Sequence, residues 1–242
     1  MKATVLFTGG KDSVYALHKA VEKGFKIATL TTVIPLYKYS MLYHQPVFHV
    51  LSAQSQSLSL PLETIGVSDP SNEAKALETI LKRVKEKYDV EIVVTGAVIS
   101  NYQRQVFTEI AKRVGLNTYN PLWGLNQEEY VRSLLRDGIK FTLISITSMG
   151  IPHALLGKEI DENDVELLIK LSRKYGFNVS LDGGEAESLV LDAPLFKYRI
   201  SIDGERIYLS EFEAYYKIHR CFHVKKKRIT LCLLGCSHPC FW

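Results

Sequence analysis

The sequence predicts an α/β fold, a doubly wound parallel sheet followed by a smaller C-terminal α+β domain. Two observations carry this. Through the first half, short apolar runs alternate with stretches of three-and-four apolar spacing, the pattern of a parallel sheet covered on both faces. After Gly176 the texture turns to period-two segments, as half-buried strands have. The chain has 242 residues, enough to bury a sizeable core as one large or two small domains. Its apolar fraction of 46% and charged fraction of 23% are ordinary for a globular protein.

Taken in order, "KATVLF" at 2–7 reads as the first strand. Residues 12–23 read as a helix with Val14, Leu17, Ala20 and Val21 on one face. The apolar run 26–34 is the second strand. Residues 45–59 look helical, with Pro46 tolerated in the first turn, and 62–67 form a short strand. Ser71 is read as the cap of a helix over 72–88, where Ala74, Leu77, Ile80, Leu81 and Val84 share a face. A buried strand over 91–99, a helix over 102–115 ending at Gly115 and an extended piece over 116–121 complete the alternation. Beyond it come a helix over 126–137, a strand over 140–147 and a helix over 161–175. In the strand-rich stretch 187–209, Asp203-Gly204 reads as a hairpin turn. The expected division is 1–122, 123–224 and a basic, cysteine-containing tail over 225–242.

Composition narrows the partners. The net charge of +4 is partly local to "HVKKKR" near the end, and a solvated basic face accounts for it. No DNA partner is expected. No apolar run reaches the ~18 residues of a membrane span, and a strand beginning by Ala3 leaves no room for a leader. A cytoplasmic protein is therefore expected. The cysteines, Cys221, Cys232, Cys236 and Cys240, all lie in the last 22 residues, so no disulfide framework is expected. With His238 they lack the paired spacing of a zinc site, and an irregular tail is the simpler reading.

The chemistry-bearing stretch is "FTGGKDSV" at 7–14. Glycines after a strand let backbone amides form an anion nest, and the next helix adds the positive end of its dipole. Lys11 would supply a mobile charge, and Ser13 a hydroxyl that caps the helix or reaches a phosphate. Asp12 would repel a bare phosphate, which suggests a bridging magnesium. A tight turn with no ligand is the alternative. The spacing fits neither the common P-loop nor the dinucleotide fingerprint.

The loop resembles the SGGxDS loop of the ATP pyrophosphatases, with Thr8 keeping the hydroxyl of the usual serine. Three further segments follow in order: "SMLYHQ" (40–45), "TGAVISNYQRQVFTEIAKRVGL" (95–116) with "NPLWG" (120–124), and "GGEAESLVLDAPLF" (183–196). Together they resemble the diphthine–ammonia ligase family in its stand-alone archaeal form, from about Ala3 to Tyr208. The resemblance implies a Rossmann-like sheet of the ATP pyrophosphatase type, with residues 1–122 as the nucleotide-binding domain and 123–224 as a substrate domain. It implies amidation of diphthine on translation elongation factor two, through an acyl-adenylate attacked by ammonia, with ATP yielding AMP and pyrophosphate. ATP and Mg2+ are the implied cofactors; elongation factor two and ammonium are the implied partners, and a homodimer is allowed.

The resemblance assigns Thr8, Gly9, Gly10, Lys11, Asp12 and Ser13 to the pyrophosphate loop, with Asp12 the metal candidate and Thr32 and Val33 near the adenine. Lys11, Asp12, Arg104 and Glu185 are the catalytic candidates. Arg104 would clamp a phosphate or carboxylate; the alternative is an arginine on an exposed helical turn. His44, Tyr102, Gln103, Gly183, Gly184 and Glu187 are substrate-binding candidates. Glu185 and Glu187 would share a strand face, although a polar strand edge would look the same. Trp123 reads as packing or a pocket wall. The chain departs from the family pattern at Leu125, Asn126, Asp182, Ala186 and Ser188. Two other functions remain open at this point: a related ATP pyrophosphatase with another carboxyl or carbonyl acceptor, such as a tRNA base, and a non-catalytic ATP sensor.

Overall fold

The computed structural model describes residues 1–37 and 48–226. Five parallel strands form the first sheet: β1 (Lys2–Leu6), β2 (Lys26–Pro35), β3 (Leu62–Val67), β4 (Ile92–Val94) and β5 (Asn117–Tyr119), in the order β3-β2-β1-β4-β5. The helices are α1 (Lys11–Glu22), α2 (Phe48–Leu58), α3 (Glu73–Tyr88) and α4 (Asn101–Arg113), then α5 (Gln127–Arg136) and α6 (Glu162–Tyr175). Strand side chains alternate between two cores, as a sheet covered on both faces requires. Ile92 and Val94 join the core beneath α1, whereas Val93 joins the one beneath α3 and α4.

The second sheet is antiparallel, in the order β7-β6-β9-β8, built from β6 (Lys140–Ile146), β7 (Ala186–Asp192), β8 (Tyr198–Tyr208) and β9 (Ala214–Lys225). The α1-side core is continuous into it: Val5, Leu17 and Leu51 belong to the same buried cluster as Tyr130, Phe141 and Val190. The chain is therefore α/β with a doubly wound parallel sheet and a smaller antiparallel sheet packed against one of its helical faces.

Several expectations are corrected. The run over 91–99 is a strand only to Val94, and residues 95–100 form the turn into α4. Asp69, not Ser71, makes the cap near α3: it accepts the Ser71 amide at 2.8 Å at the start of a short 3-10 turn. Val21 is exposed on α1 while Val14, Leu17 and Ala20 are buried. Asp203-Gly204 makes no hairpin. β8 runs through it with a register shift, and the chain reverses over 209–213 into β9. Gly204 answers a close approach there, since a Cβ would lie 2.2 Å from the Lys217 carbonyl oxygen. The segment 38–47, with "SMLYHQ" and His44, and the tail 227–242, with Cys232, Cys236, His238 and Cys240, lie outside the described residues.

Candidate functional site

Strand order reverses between β1 and β4, and the crevice at their carboxyl ends is where open α/β sheets hold ligands. Thr8, Asp12, Ser13, Thr32, Val33 and Gln103 all line that cleft, together with Thr95 and Asp182. The loop from β1 to α1 is held from behind. Gly9 sits at φ +76°, a left-handed conformation that costs a side-chain-bearing residue energy. Its carbonyl accepts from the Val190 amide at 2.9 Å and from Gln54 Nε2 at 3.0 Å. Gln54, fully buried on α2, also donates to the Val190 carbonyl at 2.8 Å. The Lys11 amide donates to Ser188 Oγ at 3.1 Å. Ser13 braces the loop internally: its Oγ donates to the Gly10 carbonyl at 3.1 Å and accepts the Thr8 amide at 3.2 Å. α1 begins at Gly10 with no side-chain cap.

Lys11 differs from its expectation. Its side chain is buried, with Nζ 2.9 Å from both oxygens of Asp12, so it is a fixed counter-charge rather than a mobile cation. Asp12 also accepts a hydrogen bond from the Tyr130 hydroxyl and leaves 24% of its side chain exposed. Asp182 Oδ2 accepts the amides of Val98, Ile99 and Ser100 at 3.0, 2.8 and 3.3 Å, tying the turn before α4 to the segment that enters β7. Burial and then the neighbouring Asp12 charge push the Asp182 carboxyl above its ordinary range, against the opposing pull of those amides and Lys11.

Ser100, Tyr102, Gln103 and Arg104 stand at the head of α4, the helix expected over 102–115. Ser100 is the cap, accepting the Gln103 amide at 3.4 Å. Tyr102 is 55% exposed. Arg104 is not among the cleft-lining residues. Its guanidinium stacks 4.3 Å above the Trp123 ring and donates to Asn101 Oδ1 at 2.9 Å. Its Nε is buried with no partner among the described residues.

Glu185 precedes β7, which starts at Ala186, so the expected strand alternation with Glu187 does not arise. The Glu185 carboxylate instead accepts the Asn178 side-chain amide at 2.5 Å and the Gly183 amide at 2.8 Å, pinning the turn that holds Gly183 and Gly184. Glu185, Glu187, Gly183 and Gly184 are likewise absent from the cleft lining. Gln54, Tyr130 and the role of Asp182 were missed from the sequence. Only Asp182 had a signal, an acid directly before the paired glycines.

The residues present fit a triphosphate: an uncapped helix start and a left-handed glycine meet at the switch point of the sheet. They also fit magnesium. Asp12 offers one carboxylate to the cleft, and no group of three or more acidic, histidine or cysteine residues suited to a metal occurs among the described residues. Magnesium commonly takes one or two carboxylates and draws its other ligands from phosphates and water.

Residues 1–118 match the diphthamide synthase N-terminal domain family, and residues 126–224 match the diphthamide synthase C-terminal domain family. A diphthine–ammonia ligase of Homo sapiens is 31% identical over 235 residues, covering 89% of this chain and 88% of the relative. One from Schizosaccharomyces pombe is 33% identical over 240 residues, covering 91% of this chain and 39% of the longer relative. Among solved structures, a predicted subunit of a tRNA methyltransferase from Methanocaldococcus jannaschii aligns at a TM-score of 0.42 and 16% identity, covering 80% of this chain and 98% of that one.

Proposed function

The chain belongs to the diphthamide synthase family, and from that membership we propose that it is a diphthine–ammonia ligase, an ATP-dependent enzyme of diphthamide biosynthesis. Its protein substrate in this reading is diphthine-bearing elongation factor two, and its setting is cytoplasmic. No helix among the described residues is long and apolar enough to cross a membrane. The observation that carries the reading is the placement of Thr8, Asp12 and Ser13 where strand order reverses, facing Asp182 and the turn into α4 across one cleft, while Gly9 and Gly10 pack behind them on Gln54 and Ser188 and Lys11 is buried.

The chemistry requires that a carboxylate oxygen attack the α-phosphorus of ATP, with pyrophosphate leaving. Ammonia then attacks the acyl carbon, AMP leaves, and a proton is released as the amide forms. In this reading the loop and the start of α1 hold the β- and γ-phosphates, so that the bond broken is the inner one. Thr32 and Val33 lie against the base. The Thr32 hydroxyl donates to the Phe7 carbonyl at 2.5 Å, so its side chain is left to act there only as an acceptor. Magnesium, held by Asp12 and the phosphates, would neutralise charge on the leaving group. Residues 1–122 then bear the nucleotide, while 123–224 shape the acceptor side and keep water from the activated acyl group. Tyr102, exposed at the head of α4, and the Arg104–Trp123 stack are the surfaces offered to the acceptor. Glu185 holds the turn that carries Gly183 and Gly184.

The test is direct. Purified protein with ATP, magnesium, ammonium and diphthine-bearing elongation factor two should convert carboxylate to carboxamide by mass spectrometry, with AMP formed in step with the amide. Absence of amide beside an active control ligase, or ADP in place of AMP, refutes the reading.

A further inference from the structure

We infer that Tyr130 is a positioning residue for the nucleotide site, orienting the Asp12 carboxylate toward the cleft from the opposite half of the chain. The inference rests on the ATP-binding role proposed above for the loop. Tyr130 lies on α5, 118 residues from Asp12, and is 1% exposed. Its hydroxyl donates to Asp12 Oδ1, the oxygen that also accepts Lys11 Nζ at 2.9 Å. Lys11 spans both carboxylate oxygens, whereas Tyr130 reaches only one, so the phenol is the contact that breaks the symmetry of the pair and fixes the rotation of the carboxylate.

The donor is itself immobilised. The Tyr130 ring packs against Tyr15 with centroids 5.9 Å apart, and its carbonyl accepts the Ser133 hydroxyl at 2.7 Å. Tyr15 is anchored in turn by its hydroxyl on Asp137 at 2.7 Å. A fully buried tyrosine aimed at a partly exposed carboxylate places the exposed edge of Asp12 on the cleft side. That edge is what a phosphate-bound cation would meet.

Tyr130→Phe keeps the ring and removes only the hydroxyl. Titration calorimetry with ATP, in magnesium and in EDTA, should show the magnesium-dependent gain in affinity reduced about tenfold, as loss of one hydrogen bond to a charged group implies, with affinity in EDTA unchanged. In an Asp12→Asn background the same substitution should cost less than twofold, because the partner's charge is already gone. Equal losses with and without magnesium, an unchanged magnesium gain, or the full tenfold loss persisting beside Asp12→Asn would each overturn the inference. Wild-type protein that binds no ATP under either condition overturns the functional reading, and this inference with it.

Discussion

Gly9→Ala tests whether the loop is shaped by what lies behind it. At φ +76° an alanine pays the left-handed penalty of ~1–2 kcal/mol. Its Cβ would also lie 2.2 Å from Gln54 Oε1 and 2.9 Å from Leu51 Cδ2, so Gln54 must move. Moving it breaks two hydrogen bonds to buried carbonyls, those of Gly9 and Val190, at ~1 kcal/mol each. The expected loss is roughly 3–4 kcal/mol from these contributions, a large share of the ~5–15 kcal/mol that holds a domain together. Calorimetric unfolding should show Tm falling by roughly 10 °C at this chain length. The informative variant is the double one, Gly9→Ala with Gln54→Ala. Removing the glutamine opens the space the new methyl needs, so the two losses should fall short of additive by about 1 kcal/mol or more. ATP affinity should follow stability if, as proposed, this loop and the start of α1 hold the phosphates. Strict additivity, or a Gly9→Ala protein as stable as wild type, would show that the loop is not braced by Gln54 at all.

Three further outcomes are expected. Lys11→Met leaves Asp12 with Tyr130 as its remaining side-chain donor, so it should lower stability by ~1–3 kcal/mol as well as ATP turnover; loss of turnover with an unchanged Tm would restore the picture of a mobile cation. Asp182 has its folded-state pKa raised, so the unfolded carboxyl ionises first and folding loses stability as pH rises through the interval between the two values. Asp182→Asn keeps an acceptor for the amides without the charge, so its Tm should gain on wild type as pH rises above about 4, where the unfolded carboxyl ionises, read by scanning fluorimetry. His18 is shifted the opposite way for its type: burial lowers its pKa, and Nε2 accepts the Leu195 amide at 3.2 Å in the neutral form. Its stabilising contribution is complete above the unfolded value and is lost as pH falls below it. Wild-type Tm should therefore drop between about pH 7 and about pH 5, and His18→Gln should flatten that slope.

What the chain makes legible and what it hides divide along sequence distance. β1, β2 and β4 carry short apolar runs alternating with amphipathic stretches, and α1 and α3 reveal their buried faces through residue spacing, all of it local information; the end of β4 at Val94 is not marked by its run, which continues into the turn before α4. The loop is legible for the same reason, because nest, hydroxyl and helix start occupy consecutive positions. Asp203-Gly204 misleads because the same dipeptide serves a turn or a bulge. The choice is made by Lys217 on the facing strand, which local sequence does not contain. Lys11 misleads similarly, since only the fold buries it. The hydrogen bonds that complete the site span 84 residues from Val98 to Asp182, 118 from Asp12 to Tyr130 and 136 from Gln54 to Val190. No periodicity or spacing rule reaches that far.

Those long-range contacts also explain why two sheets are needed for one cleft. A glycine-rich loop alone is floppy, and each ordered residue costs about 1–2 kcal/mol of backbone entropy. If that cost fell at the moment of ATP binding, it would be subtracted from affinity and alignment. Here it is met during folding instead. β7 takes the Gly9 carbonyl and the Lys11 amide, α2 sends in Gln54, α5 supplies Tyr130, and Asp182 fixes the turn into α4 on the opposite lip. The same strand, β7, carries Ser188 and Val190 against the loop and follows directly from the turn that Asp182 and Glu185 hold. A shift of the antiparallel sheet would therefore pull on both lips of the cleft together. An acceptor seated against that sheet would meet the loop at a fixed separation, which is the alignment an in-line attack on the α-phosphorus demands.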